Sequence, residues 1–260
     1  GFDRDMLLIA EMPKKPFLSQ PYKAFDQQLL SYPEFADVAY ANDRMGGSNM
    51  YNIQGFEIGD QQVQPFYVRI STNFPKVMGM KVTEGRDFLP GDSVGKVKHF
   101  IATKEFKTMY NLPTSQRLNA DWMGTAEITG YVENVAFTSN RITAFSGTPF
   151  VFTPNLYDDD VLSVGYIRVK AGSDPAKALR HAREAFEKSF PGYAAEIDFF
   201  DNVYKQLYTA ETNQQQVVIA FSILAIIISL VGVFGLTIFE TQYRRKEIGV
   251  RKVFGASTRQ

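Results

Sequence analysis

The sequence predicts an α+β fold in which a mixed α/β domain is followed by one long helix. Two observations predict it: strand-like and helix-like segments alternate over residues 1–200, and residues 217–239 contain no charged side chain. Of the 260 residues, 45% are hydrophobic and 22% are charged, so the chain can bury a substantial core. Because the sequence starts at Gly1 and stops within a pattern at Gln260, we expect it to be a piece of a longer polypeptide.

Local signals place the elements of the first 200 residues in order. Ser19 is a typical helix N-cap and Pro33 a typical helix stop, so a helix is predicted over about 19–31. Alternating apolar and β-branched residues predict short strands, at 37–41, 49–56, 65–72, 99–103, 126–132 and 149–153.

The most distinct unit is a strand, a helix and a second strand near residue 200. Residues 164–170 and 195–200 are strand-like, and Ser173-Asp174-Pro175 is a typical helix start between them. This order predicts that both strands belong to one sheet. Asp201 is then expected to cap a stalk helix over 201–216 that continues without a breaker.

Residues 217–239 predict a membrane-spanning helix. At about 1.5 Å per residue they reach roughly 35 Å, enough for a hydrocarbon layer of about 30 Å. The alternative is a buried helix in a soluble core, but such helices are usually shorter and carry a polar stripe. Small residues at Ala225, Ser229, Gly232 and Gly235 predict a face for close helix packing, although such residues are also common in membrane helices generally.

Charge is segregated along the chain although the formal net charge is zero. Residues 240–260 hold six of the 28 Lys and Arg but only two of the 28 Asp and Glu. Since positive charge beside a span resists translocation, we expect residues 240–260 to be cytoplasmic and residues 1–216 to be extracytoplasmic.

The composition argues against catalysis by this chain itself. It contains no cysteine and only two histidines, which excludes a thiolate site and a His-rich metal site. Gly91 and Gly95 do not have the spacing of a phosphate-binding loop, and Val97 stands where that loop needs Ser or Thr, so a surface turn is predicted. The acidic run 158–160 lacks the spacing of a calcium loop. We therefore expect no enzymatic activity and no cofactor in this chain.

Three stretches resemble MacB/FtsX-like ABC transporter permeases. STNFPKVMGMKVTEGRDFL, residues 71–89, is similar to a G-x-x-x-x-x-G-R-x-F stretch of their extracytoplasmic domain. ITGYV, residues 128–132, resembles their later I-x-G-V-V strand, with Tyr131 in place of a small apolar residue. RRKEIGVRKVFGAS, residues 244–257, is similar to their R-R-K-E-I-G-x-R-K-x-x-G-A-S segment. The resemblance covers nearly the whole chain, which would begin just after a missing first membrane helix.

The resemblance implies how the chain is divided. It implies a two-lobed extracytoplasmic MacB-like domain over 1–200, with an inserted lobe at about 85–160. A stalk helix over 201–216 would join this domain to a membrane helix over 217–239, followed by a cytoplasmic coupling segment over 240–260. The implied location is the bacterial cell (inner) membrane.

The coupling segment is implied to dock on a separate ATP-binding subunit, which would hold ATP and magnesium. The implied coupling residues are Arg244, Arg245, Lys246, Glu247, Ile248, Gly249, Arg251, Lys252, Val253, Phe254 and Gly255. The residues themselves suit docking, because Glu247 and Arg251 form a favourable helical pair, and Val250, Val253 and Phe254 can form a small apolar face. The alternative is that the basic cluster only fixes topology and binds anionic lipid.

The implied function is mechanotransmission in efflux or export, in which ATP hydrolysis by the partner moves the extracytoplasmic domain. Further implied partners are a second permease copy or homologous half, a periplasmic adaptor or cell-wall hydrolase, and the lipid bilayer, but no nucleic acid. Two other functions remain open: a regulator that activates a cell-wall hydrolase or senses a peptide, and the sensor domain of a receptor. A receptor would need a signalling linker after Phe239, where the sequence has Gly249 and Gly255 instead.

Overall fold

The fold is taken from a computed structural model, which describes residues 6–13, 22–45, 55–58, 60–113, 116–120, 124–133, 149–154 and 162–255. The chain divides into two compact units, Gly1–Gln206 and Leu207–Gln260. The strands are β1 (Leu7–Glu11), β2 (Phe35–Ala41), β3 (Phe56–Ile58), β4 (Gln61–Val63), β5 (Phe66–Arg69), β6 (Val82–Gly85), β7 (Lys98–Thr103), β8 (Gln116–Ala120), β9 (Gly124–Val132), β10 (Phe150–Thr153), β11 (Val164–Val169) and β12 (Ile197–Phe199). The helices are α1 (Lys23–Leu30), α2 (Phe74–Val77), α3 (Lys104–Met109), α4 (Pro175–Ser189) and α5 (Phe200–Val253), with a 3-10 turn at Pro90–Ser93.

The first lobe is a four-stranded sheet in the order β12-β1-β11-β2, with α1 and α4 packed against it. Neighbouring strands are antiparallel, so β11 and β12 run parallel on either side of β1. The Asp174 side chain accepts hydrogen bonds from the amides of Ala176 and Lys177, which confirms the predicted helix start. Both strands of the predicted strand-helix-strand unit therefore lie in one sheet, as expected.

Aromatic side chains fill the space between the helices of the first lobe. The Phe25 ring on α1 lies 6.0 Å from the Phe186 ring on α4, and Phe186 lies 5.0 Å from Phe190. Both Phe25 and Phe186 are essentially inaccessible to solvent. These ring contacts join α1 to α4 within the core of the first lobe.

The second lobe is an eight-stranded mixed sheet. Its order is β4-β3-β8-β9-β7-β10-β5, and β6 pairs with β9. A separate hydrophobic core, built around Phe56, Phe100, Phe106 and Tyr131, belongs to this sheet. The lobes meet where β2 and β5 end, because the Ser71 amide donates to the Tyr40 carbonyl at 2.8 Å. Two sheets with separate cores confirm the predicted two-lobed α+β fold.

Several element predictions need correction. The helix predicted from Ser19 is described only from Tyr22 onward, and α1 begins at Lys23. Asp201 does not precede its helix, because α5 already begins at Phe200. Of the strand predicted at 49–56, only the end lies within the described residues, where β3 begins at Phe56. The predicted domain bounds, including the inserted lobe at about 85–160, stay predictions.

Candidate membrane span and coupling segment

The apolar part of α5 is long enough to cross a membrane. By length and composition, Val218–Val253 qualifies as a candidate span, and its most apolar stretch is not buried by any other part of the described structure. The large apolar side chains from Val218 to Phe239 are between 44% and 68% exposed. Exposing so much apolar surface to water would be costly, at roughly 25 cal/mol per Å², so a lipid or protein environment is favoured.

Two hydroxyl groups of this segment donate hydrogen bonds within the helix. The Ser222 hydroxyl donates to the Val218 carbonyl at 2.8 Å, and the Thr237 hydroxyl donates to the Val233 carbonyl at 2.9 Å. These bonds lower the cost of placing the two side chains in an apolar medium.

The predicted small-residue face remains open for a packing partner. At about 100° per residue, Ala225, Ser229, Gly232 and Gly235 fall within roughly one third of the helix circumference. A Cβ atom added at Gly232 or Gly235 would meet no atom within 4 Å. Helix packing at this face stays a prediction.

The coupling segment continues the same helix and ends at a glycine. The helix reaches Val253, and Gly255 has a φ of 83°, a left-handed conformation that favours glycine. The Gly255 amide donates to the Lys252 carbonyl at 3.2 Å. The left-handed Gly255 therefore terminates the helix.

An apolar stripe follows one side of the coupling segment. Tyr243, Val250 and Phe254 lie within about 40° of one another around the helix axis. Their exposed fractions are 68%, 58% and 84%. Val253, predicted to share this face, lies at its edge. We call Tyr243, Val250 and Phe254 the apolar stripe.

Charged side chains flank the apolar stripe. Arg251 Nη2 donates to Glu247 Oε1 at 2.6 Å, which confirms the predicted pair. Both side chains are exposed, so the pair adds little stability on its own. Together with Tyr243, Lys246 and Val250, the pair lines a shallow open groove. The segment therefore offers a contact surface in which an apolar centre is edged by both signs of charge.

The end of the 71–89 stretch is bonded to the turn that follows it. Arg86 donates through Nη1 and Nη2 to Asp92 Oδ2 and Oδ1, at 2.6 and 3.1 Å, and the Leu89 amide donates to Asp92 Oδ2 at 2.9 Å. Burial opposes ionisation of Asp92, but the bonds from Arg86 and Leu89 outweigh it and hold its pKa below the ordinary value. Asp92 was not singled out from the sequence, and its position six residues after Arg86 is the only local signal.

Asp92 also belongs to the glycine-rich turn at 91–95. The turn is a 3-10 helix over Pro90–Ser93, and Gly95 has a φ of 117°. This agrees with the surface turn predicted there. Within the described part of the chain, no group of three or more His, Asp or Glu side chains could hold a metal ion. The acidic run at 158–160 lies outside that part.

Known structures share this fold at low sequence identity. The periplasmic region of MacB from Actinobacillus actinomycetemcomitans is similar, with a TM-score of 0.54, 9% identity, and coverage of 79% of this chain and 94% of that one. The extracellular domain of the noncanonic ABC-type transporter YknZ from Gram-positive bacteria has a TM-score of 0.50 and 11% identity, covering 74% of this chain and 97% of that one. The chain has a MacB-like fold.

The MacB-like fold agrees with the two-lobed α+β domain that the sequence motifs implied. No protein-family model and no curated protein matches the sequence. Membership of the MacB/FtsX-like family is therefore still a prediction, and so is the role of each predicted coupling and packing residue.

Proposed function

We propose that this chain is the membrane subunit of an ABC-type transporter, driven by a separate ATP-binding subunit. The observation that carries the proposal is that α5 is one unbroken helix. It begins directly after β12 of the first lobe, contains the apolar span and ends in the exposed apolar stripe. The MacB-like fold supports the proposal, because the extracellular domain of the ABC-type transporter YknZ has a similar fold.

In this proposal the membrane is the bacterial cell membrane. The domain over 1–200 lies outside, and residues 240–260 lie in the cytoplasm, because the cations concentrated there resist translocation. A second permease copy or homologous half packs on Ala225, Ser229, Gly232 and Gly235. An extracytoplasmic adaptor binds the outer domain.

The coupling step rests on the apolar stripe. An exposed Phe beside an exposed Tyr and Val is typical of a contact that becomes buried, since aromatic residues are enriched at protein interfaces. Glu247 and Arg251 would then orient the contact through complementary charges rather than supply most of its affinity. ATP and magnesium stay on the partner, whose movement shifts the helix and thereby the outer domain.

Site-specific photo-crosslinking tests this contact. A photoreactive residue replaces Phe254 on the apolar stripe or, as the matched control, Thr241, which is exposed on the other side of the helix and is not among the implied coupling residues. We expect Phe254 to yield an adduct in cells that is also labelled by a photoreactive ATP analogue, and Thr241 to yield little. Equal adducts from both positions, or none that bind ATP, would contradict the proposal.

Charge reversal tests the same contact by function. Glu247→Lys and Arg251→Glu should each uncouple ATP hydrolysis from the outer domain without unfolding it, because each reversed charge would face a like charge on the partner. Unchanged coupling in both single variants would count against docking at this site.

A further inference from the structure

The charges of the coupling segment are sorted around the helix as well as along the chain. At about 100° per residue, Arg245 and Lys252 lie within about 20° of each other, and Arg244 lies about 80–100° from them. The two acidic residues of the segment, Glu247 and Glu240, fall between the apolar stripe and Arg244, and Glu240 lies about 40° from Arg244, so the arc that runs from Arg244 to Arg245 contains no acid. Within residues 240–255, the surface formed by Arg244, Arg245 and Lys252 therefore carries cations and no acid. We call these three residues the basic face.

The basic face starts close to the end of the apolar span. Arg244 and Arg245 follow Phe239 by five and six residues, about 8–9 Å along a helix. The headgroup layer beyond the hydrocarbon is about 5–8 Å thick on each side, so the two guanidinium groups lie at headgroup depth. Arginine also binds phosphate through two parallel N–H bonds, which suits it to this position.

Lys252 lies about 20 Å beyond Phe239 along the helix and approaches the same layer when the helix tilts. The uncharged stretch of roughly 35 Å exceeds a hydrocarbon thickness of about 30 Å, and a helix that is too long accommodates by tilting. Tilting toward the basic face moves Lys252 toward the membrane surface, so that its long side chain can extend to the headgroups, and turns the apolar stripe away from the membrane. One helix can thereby present a lipid-facing side and a protein-facing side.

We propose that Arg244, Arg245 and Lys252 bind the phosphates of anionic phospholipid headgroups, and so hold the apolar stripe facing the cytoplasm. This inference requires residues 217–239 to span a membrane, as in the proposed function, but not an ATP-binding subunit on the apolar stripe. Charge complementarity and direct continuity with the span favour lipid over an acidic protein as the occupant.

The test uses the whole chain in phosphatidylcholine nanodiscs that contain a trace of photoactivatable phosphatidylglycerol or photoactivatable phosphatidylcholine. The variants are Arg245→Gln and, as a matched control one residue away on another side of the helix, Lys246→Gln. The double variant Arg245→Gln/Lys252→Gln removes two cations from one face. The label bound per chain is measured, and circular dichroism checks that the helix is intact.

We expect Arg245→Gln to lower phosphatidylglycerol labelling about fivefold, the effect of one cation at a membrane surface, and the double variant to lower it further. Lys246→Gln should have little effect, and phosphatidylcholine labelling should not change in any variant. Equal losses for Arg245→Gln and Lys246→Gln, or no preference for the anionic lipid, would overturn the proposal. The proposal is also overturned if a photoreactive residue at Arg245 captures a protein rather than lipid in cells. These outcomes leave the Phe254 crosslinking test of the proposed function unaffected.

Discussion

Gly85 and Gly130 lie with their backbones in direct contact across the pairing of β6 with β9. A Cβ atom added to Gly85 would lie 2.2 Å from the Thr129 carbonyl oxygen, and one added to Gly130 would lie 2.4 Å from the Arg86 carbonyl oxygen. The Arg86 amide donates to Thr129 O at 2.9 Å, which holds the two strands at this separation. The two glycines, from two separate motif stretches, thus form one close contact.

Substituting either glycine is expected to destabilise the outer domain. Gly130→Ala forces the backbones apart and should cost about 1–3 kcal/mol of unfolding free energy. Gly85→Ala should cost more, because Gly85 also has a φ of 74°, which side chains disfavour by about 1 kcal/mol or more. Gly91→Ala is the control, since its added Cβ meets nothing within 4 Å. Near-UV circular dichroism during urea unfolding measures the stability of all three variants. Equal urea midpoints for the three variants would show that the glycine contact does not stabilise the domain.

The Arg86–Asp92 pair should fix the loop over 86–97. Asp92→Ala leaves the Arg86 guanidinium and the Leu89 amide without their carboxylate, which should cost about 1–3 kcal/mol. We also expect faster trypsin cleavage after Lys96, because the loop loses its anchor. Ser93→Ala, which removes an exposed hydroxyl, is the control. Cleavage rates that match in the two variants would show that the ion pair does not hold the loop.

Glu34 should make the first lobe sensitive to acid. Its Oε1 lies 2.7 Å from Lys177 Nζ and its Oε2 lies 3.1 Å from His181 Nδ1. The hydrogen bond from Lys177 has the largest effect on Glu34, and the contact with His181 adds a smaller effect in the same direction. Together they outweigh the effect of burial and lower the pKa of Glu34 from 4.5 to about 2. A lowered pKa contributes stability that is present above pH 4.5 and lost as the pH falls toward 2.

The expected result concerns the difference in unfolding free energy between the parent chain and Glu34→Gln. That difference should be largest above pH 4.5 and shrink on acidification, because the parent then loses the ionised carboxylate. Glu187→Gln, at an exposed position on α4, is the control for removing a surface carboxylate from the same helix. Urea midpoints at several pH values provide the measurement, and a pH-independent difference for Glu34→Gln would refute the linkage.

The sequence predicted those features that depend on neighbouring residues in the chain. The start of α4 follows from Asp174 and Pro175. Val250 and Phe254 of the apolar stripe follow equally from helical periodicity, whereas Tyr243 was not predicted and Val253 lies at the edge. By contrast, β1 was not predicted, since LLIAE is a short apolar run without alternation, although it lies between β11 and β12.

Contacts between distant segments could not be read from the sequence. The approach of Gly85 to Gly130 joins residues 45 positions apart, and only the folded sheet brings them together. Tyr131 departs from the small apolar residue of the resembling motif, yet its ring is fully buried and its hydroxyl donates to the Pro113 carbonyl at 3.0 Å. Burial raises its pKa to about 12, so the phenol stays neutral in the core.

The orientation of the span can be measured directly because the sequence contains no cysteine. A single cysteine is introduced at Val94, which is 72% exposed in the outer domain, or at Lys246 in the coupling segment. A membrane-impermeant maleimide applied to spheroplasts should label Val94→Cys at once and Lys246→Cys only after the membrane is disrupted. The physical reason is that the cations of residues 240–260 resist translocation while the uncharged span is retained in the bilayer.

The cysteine-free parent controls for background labelling, and a permeant maleimide confirms that both cysteines react. Labelling of both positions in intact spheroplasts would place the basic residues on the same side as the outer domain. No cytoplasmic ATP-binding subunit could then reach the apolar stripe, and the proposed function would fail whatever the fold. Labelling of Val94→Cys alone would instead require α5 to cross the membrane between Val94 and Lys246 in the chain, which is the arrangement that coupling needs.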